Sequence, residues 1–281
     1  MKKNITFICL LFSILGNAQW TQKKGSSYLK IGAWQLEADE HFTSSGLVDP
    51  NATRGIFISS IYFRHGIAKK ISGSIYIPYT FVYQNEQRFT SGRPPVAGEI
   101  YSSLGDINIG IEHQWLQKKG WALSAGLTLG IPTGNSAGGS DGSYQTGDGE
   151  FNQLLKLRIG KSYRIGKQPF YGKTSIGFNQ RSKGFSDEWH WTFETGTNVL
   201  DKKLLLLTRA QWINSLFNGN LSAENSNGSI FANNVEVFNL GGEVIYSIRK
   251  NMGIGFHFSS PISGKLIYRA TAYSAGIAMR F

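Results

Sequence analysis

Charged and polar side chains recur at every second position in several stretches of the sequence, interleaved with apolar residues. In a closed β-sheet such positions share one face, so they could line a passage and filter solutes by charge and size. The candidate selectivity residues are Glu112, Lys156, Arg158, His190, Glu194, Glu243 and His257. The same register adds further inward-facing candidates, namely Asp106, Asn108, Gln114, Lys173, Asn179 and Arg280.

Two interpretations of these residues stay open. In the first, glutamates at 112, 194 and 243 face Lys156 and Arg158 across a constriction and select solutes. In the second, the same charges pair with one another and stiffen or plug the interior. A narrow barrel would leave a slim channel at best, which fits either interpretation.

Catalytic chemistry receives little support from the sequence. His257 and Ser259 lie two residues apart and would share a face, but no third residue is available to orient the histidine. Asp141 and Asp148 lie in a glycine-rich stretch, yet the acidic ligands there are too few and irregular for a calcium loop. We therefore expect no enzyme activity, no catalytic residue, no metal and no cofactor.

The first eighteen residues have the order of a secretory signal peptide. Lys2 and Lys3 form a basic start, Ile5–Leu15 is apolar, and Gly16-Asn17-Ala18 supplies the small residues that a signal peptidase reads. We predict that residues 1–18 are removed and that residues 19–281 form a single domain in the cell outer membrane.

The single cysteine and the net charge exclude several classes of protein. Cys9 is the only cysteine and lies in the predicted signal peptide, which excludes a disulfide scaffold or a thiolate metal site in the mature chain. The formal net charge is +11. Because the chain is predicted to be exported, we expect no nucleic acid partner. Scattered solvated lysines account for this charge, and an attraction to anionic lipopolysaccharide is the alternative.

The elements that must position these side chains are β-strands. Between Trp121 and Ile131, for example, large apolar residues alternate with small or polar ones, and many such segments have the length of a tilted membrane-spanning strand, about ten residues. The twelve predicted strands are 26–38, 55–65, 71–83, 105–116, 121–132, 151–163, 169–180, 188–199, 204–216, 235–248, 252–260 and 267–281. Ten or fourteen strands are alternatives. Pro78 and Pro132 are expected near strand ends, since proline is excluded from paired strand interiors.

Three features favour a transmembrane barrel over a soluble sandwich. Short turns alternate with long polar loops, as in outer-membrane barrels with short periplasmic turns. Aromatic residues gather near strand ends, as at the two membrane interfaces. The chain ends in an alternating strand that stops at Phe281, a candidate signal for the barrel-assembly machinery. We predict an all-β, antiparallel up-and-down transmembrane barrel of about twelve strands with both termini in the periplasm.

Several segments resemble one known family. They are His65-Gly66-Ile67-Ala68-Lys69-Lys70 with Ile75–Tyr79, and Leu104–Gly110 with Leu127–Gly134. They look like the outer-membrane barrel family of the MetA-pathway of phenol degradation, which is more distantly similar to the fatty-acid and toluene transporters of the outer membrane. The resemblance implies a barrel that passes small, often apolar, compounds. Its motifs are turns, strand ends and loop entries.

The prediction for function is a passive outer-membrane channel or transporter for a small, unidentified and possibly hydrophobic solute. The alternatives are a structural barrel with a blocked lumen, whose loops bind a partner or lipopolysaccharide, and a barrel enzyme that modifies lipids. Expected partners are outer-membrane lipid, lipopolysaccharide, the barrel-assembly machinery and a small-molecule solute.

Overall fold

The computed structural model describes residues 21–86, 94–221 and 229–281, so the predicted signal peptide lies outside the described residues. Sixteen strands are present in chain order: β1 (Ser27–Ala38), β2 (His41–Phe42), β3 (Val48–Asp49), β4 (Arg54–Ala68), β5 (Ile71–Gln84), β6 (Glu99–Leu104), β7 (Ile107–Lys118), β8 (Trp121–Ile131), β9 (Asn152–Ile165), β10 (Gln168–Arg181), β11 (Glu188–Val199), β12 (Leu204–Ser215), β13 (Glu236–Arg249), β14 (Met252–Lys265), β15 (Ile267–Tyr268) and β16 (Ala272–Arg280). No helix in this described part of the chain is long and apolar enough to cross a membrane.

The long strands close into a barrel in which each strand pairs antiparallel with its neighbours. β1 pairs with β4 on one side and with β16 on the other, so the two ends of the chain form the seam of the barrel. β6 and β7 both pair with β5 and together fill one position in the wall. The barrel therefore has twelve strand positions, which confirms the predicted fold class and strand count. Closure pairs the backbone of every strand without leaving an edge.

The outer face of the wall is apolar. On β9, Leu155, Leu157 and Ile159 are 54%, 43% and 41% exposed, whereas the side chains between them point inward. Ile254 and Phe256 on β14 are exposed in the same way. A soluble monomer rarely exposes a continuous apolar surface of this extent, and a bilayer covers it.

The two ends of the barrel differ. Short turns join strand pairs at one end, called here the turn end, and the longer connections lie at the other, called the loop end. Lys119 and Gly120 connect β7 to β8 with φ angles of 50° and 80°. Two positive φ angles define the tight hairpin turn whose twist matches that of the flanking strands.

Pro78 lies inside β5, where it pairs with Ser60 of β4, so the expectation that it marks a strand end is wrong. Its other neighbour is the interval between β6 and β7, where the backbone N–H of Gly105 donates to the carbonyl oxygen of Pro78 over 3.0 Å. Since proline has no N–H to donate, the ladder on that side is interrupted, which explains the break at residues 105–106. On the N-terminal side of the break, the strand continues as β6, whose residues 99–104 were predicted to form a loop.

Two further boundaries differ from the prediction. β14 runs to Lys265 through Pro261, which sits opposite Asn239 at a register shift of the β13–β14 ladder. A bulge tolerates a proline because the ladder is already interrupted there. β16 begins at Ala272, later than predicted, because the preceding β15 pairs with β2 in a small three-stranded sheet at the loop end.

The loop between β8 and β9, residues 132–151, extends across the loop end. The Arg54 guanidinium at the start of β4 lies 3.9 Å from the ring centroid of Tyr144, and its Nη2 donates to Ser143 Oγ over 2.5 Å. From the opposite side, Ser229 Oγ donates to Gln145 Oε1 over 3.1 Å. Tyr144 is only 3% exposed. The β8–β9 loop thus covers part of the loop end of the barrel.

Candidate functional site in the barrel lumen

The barrel encloses a polar cavity of about 550 Å³. Serine, threonine, tyrosine and glycine residues form much of its wall. The charged side chains that line it are Arg64, Glu112, Lys156, Arg158, Lys173, Glu194, Arg209 and Arg280. The cavity therefore contains four of the seven predicted selectivity residues, those at 112, 156, 158 and 194.

Glu112 on β7 is the centre of one charged cluster. Its Oε2 lies 2.8 Å from Arg64 Nη2 on β4 and 2.9 Å from Arg158 Nη1 on β9. Its Oε1 accepts a hydrogen bond from Ser124 Oγ over 2.9 Å. A Cβ at Gly126 on the intervening strand would lie 3.0 Å from the same Arg158 nitrogen. The glycine therefore leaves the space in which Arg158 reaches Glu112.

Glu194 on β11 is the centre of a second cluster. Its Oε1 lies 2.6 Å from Lys173 Nζ and accepts a hydrogen bond from the Tyr171 hydroxyl over 2.8 Å. Its Oε2 accepts from Arg209 Nε and Nη2 over 2.9 and 2.6 Å. Four donor atoms from three side chains on β10 and β12 thus contact one carboxylate, which is 3% exposed. Bonds of this charge-assisted kind are short and fix geometry.

Arg209 connects this cluster to Glu243 and, through it, to Lys30 near the seam. Arg209 Nη2 lies 3.6 Å from Glu243 Oε2, and Lys30 Nζ lies 3.3 Å from Glu243 Oε1. The pair formed by Lys30 and Glu243 reaches across β14 and β16, where Gly255 and Gly276 face it. The absence of side chains at these two glycines allows the two long side chains to meet.

The predicted arrangement of charges is therefore only partly as expected. Arg158 does face Glu112, but the partners of Glu194 and Glu243 are Lys173, Arg209 and Lys30. Among the described residues, Lys156 and Arg280 form no ion pair, although both line the cavity. The predicted role of these residues in selectivity stays a prediction.

Arg64, Arg209 and Lys30 were absent from the predicted inward-facing set. Arg209 follows Leu204–Leu207, which is apolar on both faces and conceals the register of β12. Lys30 lies on the irregular first strand. Polar residues alternate with apolar ones from Arg209 to Gln211, and this pattern could have assigned Arg209 to the inner face.

The predicted selectivity residue His190 lies outside the cavity lining, in a cluster near the loop end. Its Nε2 is 2.9 Å from Glu188 Oε2. Arg181, which is almost fully buried, contacts Glu188, Glu150 and Asp148 over 2.8, 2.7 and 3.2 Å. Because Asp148 and Glu150 belong to the β8–β9 loop, Arg181 fastens that loop to the barrel wall. Burial raises the pKa of Glu150, and Arg181 opposes this rise.

Asp106, in the break between β6 and β7, holds the other side of the β8–β9 loop. Its Oδ1 accepts from the backbone N–H of Gly134 over 2.9 Å, and its Oδ2 accepts from that of Asp148 over 3.0 Å. Burial raises the pKa of Asp106 to about 6, and the nearby Asp148 carboxylate adds to the rise. The two backbone donors counteract part of this change.

The Asp106→Asn variant is expected to have a flatter dependence of stability on pH. Between the ordinary pKa of 3.8 and about 6, the folded state binds more protons than the unfolded state, so stability falls as the pH rises through this interval. Asparagine cannot ionise, so about 1–2 kcal/mol of this fall should disappear. Glu150 titrates in the same direction and leaves a residual slope. Guanidinium unfolding in micelles at pH 4, 5, 6 and 7 measures the effect, and equal slopes in both proteins would contradict it.

The residues considered for lipid hydrolysis do not form a catalytic pair. His257 lies opposite Glu243 in the β13–β14 ladder, and Ser259 lies opposite Gly241. In the described part of the chain, no hydrogen bond joins the histidine to the serine. Phe281 follows β16, is 66% exposed and pairs through its backbone with Ser27. Its role as an assembly signal stays a prediction.

The sequence profile of one family matches residues 42–275, which is most of the chain and extends from β2 into β16. Its description is "Putative MetA-pathway of phenol degradation". The chain belongs to this family. The resemblance predicted from the strand-end and turn motifs is therefore confirmed. A comparison with curated proteins finds no match.

Several solved outer-membrane proteins share the barrel fold of this chain. An outer membrane channel from Pseudomonas putida F1 has a TM-score of 0.66 at 10% identity, over 93% of this chain and 97% of that chain. The NanC porin has a TM-score of 0.53 at 6% identity, over 89% and 98%. The KdgM porin, solved in complex with disordered oligogalacturonate, has a TM-score of 0.51 at 9% identity, over 90% and 99%. At these identities the likeness shows the fold.

Proposed function

We propose that this protein is an outer-membrane barrel through which a small solute diffuses passively. The observation that carries the proposal is a polar cavity of about 550 Å³ inside a closed wall whose outer face is apolar. A bilayer solvates such an outer face, and a water-filled polar interior then offers a path across it. The channel and porin barrels that share the fold support this function.

We also propose an orientation, with the turn end and both termini in the periplasm. The start of β1 and the end of β16 pair with each other at the turn end, where Tyr28 is opposite Arg280. Outer-membrane barrels have short periplasmic turns and longer external loops, which matches the difference between the two ends. Protease treatment of intact cells is expected to cleave tags inserted at residues 45–46 and to spare tags inserted at residues 250–251.

The proposed function is tested by conductance of the refolded full-length protein in planar bilayers. We expect steady single-channel current in potassium chloride, because the proposed function requires the polar lumen to admit hydrated ions. Folding is established first, by circular dichroism and by the slower migration of the unheated barrel in detergent gels. A folded barrel that gives no current, and no uptake of small solutes into vesicles, would contradict the proposal.

A second candidate is a barrel with a blocked lumen whose loops bind a partner or lipopolysaccharide. The contacts of Arg54 and Ser229 with the β8–β9 loop favour it, because they cover part of the loop end. Neutralising Lys156 and Arg158 separates the candidates: a channel changes its ion selectivity, whereas a plugged barrel changes only its stability. Among the described residues no hydrogen bond joins His257 to Ser259, so this pair gives no support to an enzyme.

A further inference from the structure

The charges around the lumen cavity are unequal. Among the described residues, six cationic side chains and two carboxylates line it, which leaves four positive charges in excess. Lys30 and Glu243, which join the network through Arg209, add one charge of each sign and leave the excess unchanged. A low-dielectric wall around such a cavity focuses the field and concentrates ions of the opposite sign.

The two carboxylates are also hidden from the cavity by the cations that bind them. The Glu112 and Glu194 side chains are 11% and 4% exposed, whereas Lys173 and Arg209 are 36% and 34% exposed. Both oxygens of each carboxylate accept bonds from neighbouring side chains. A solute in the cavity therefore meets the outer sides of the cations and little of the glutamates.

Lys156 and Arg280 strengthen this inequality because, in the part of the chain that the structure describes, neither forms an ion pair. Lys156 lies on β9 two residues from Arg158, so the two cations share one face of one strand. A Cβ at Gly177 on the neighbouring β10 would lie 2.8 Å from Lys156 Cγ. The glycine thus leaves room for Lys156, which contacts no carboxylate among the described residues.

We propose that the lumen selects small anionic solutes, with Lys156 as a selectivity residue that faces the permeating anion. This inference rests on the proposed function, since selectivity requires conduction. The expected solutes are carboxylates or other small anions, which accept hydrogen bonds from the ammonium and guanidinium groups of the wall. The same field repels cations. Of two solutes of equal size and opposite charge, the anion should therefore permeate faster.

The test is the reversal potential of the refolded full-length protein across a gradient of potassium chloride. We expect chloride to permeate better than potassium by roughly tenfold, since a focused field of this kind enriches counter-ions by at least that factor. Lys156→Glu should lower the chloride-to-potassium permeability ratio at least about threefold, because it exchanges an unpaired cation for an anion. If that variant does not fold, Lys156→Gln should lower the ratio by a smaller factor.

Lys167→Gln is the matched control, because it removes one positive charge from an exposed turn outside the cavity. It should leave the permeability ratio unchanged. Vesicle uptake of succinate and of 1,4-diaminobutane, which have the same carbon number and opposite charge, provides a second measurement, in which succinate should enter faster. Conductance with a ratio at or below one, or equal loss in both lysine variants, would overturn the anion preference alone. Silence of a folded barrel would overturn the proposed function and this inference with it.

Discussion

Replacing Arg181 by alanine is expected to lower the free energy of unfolding by about 4 kcal/mol, near the middle of the range for breaking a buried ion pair. The guanidinium contacts Asp148, Glu150 and Glu188, and its own side chain is 5% exposed. Without it, three carboxylates are left close together in a site with little access to water. Among the described residues, the fully buried Glu150 then keeps only its hydrogen bonds from Ser182.

The loss should be local as well as global. Because Arg181 connects β10 to the β8–β9 loop, that loop should become accessible to protease in the variant while the strands stay protected. Guanidinium unfolding in micelles and limited proteolysis measure the two effects. Arg249→Ala is the control, because this arginine is exposed at the turn end. An effect no larger than that of the control would show that the cluster does not hold the loop.

Replacing Glu194 by alanine is the second large effect, with an expected loss of about 3 kcal/mol in the free energy of unfolding. Lys173, Arg209 and Tyr171 all direct donors at this one carboxylate. Its removal leaves two neighbouring cations without their shared counter-charge. We place the loss at the lower end of the range because both cations are about a third exposed to the lumen and Arg209 keeps Glu243.

Glu40→Ala is the control for this prediction. Glu40 pairs with Arg269 at the loop end, where the two side chains are 34% and 47% exposed. A solvent-exposed pair contributes about 1 kcal/mol or less. Unfolding of both variants in the same micelles gives the comparison. Similar losses in the two proteins would mean that the lumen charges are solvated as freely as surface charges, and the network around Glu194 would then have no special structural role.

Much of the barrel was predictable because its wall has a simple period. Alternation along β8 and β9 sets the inward and outward faces, and a slip by one residue would turn every apolar side chain into the lumen. The positions of Glu112 and Arg158 on the inner face follow from that rule. Loop asymmetry then distinguishes the two ends of the barrel.

The ion pairs were less predictable, because period two fixes the face of a residue and not its partner. Glu243 pairs with Lys30 across two strands only because glycines at 255 and 276 leave space, and this depends on the register between distant strands. Tertiary contacts also explain why Pro78 and Pro261 lie inside strands, although proline is usually excluded from paired strand interiors. Each proline looks like a strand end in sequence, but the neighbouring strand accommodates it with a break or a bulge.

The seam between β1 and β16 has a consequence for the order of folding. Its ladder, from Tyr28 opposite Arg280 to Leu36 opposite Ala272, joins residues from opposite ends of the chain. Pairing at such sequence separation carries the largest loop-closure entropy in the barrel, so it is the slowest contact to form. Until it forms, the sheet is an open ribbon with β1 and β16 as unpaired edges, which is the state most prone to self-association. We therefore expect the yield of folded protein to depend on the lifetime of that ribbon as well as on the stability of the finished barrel.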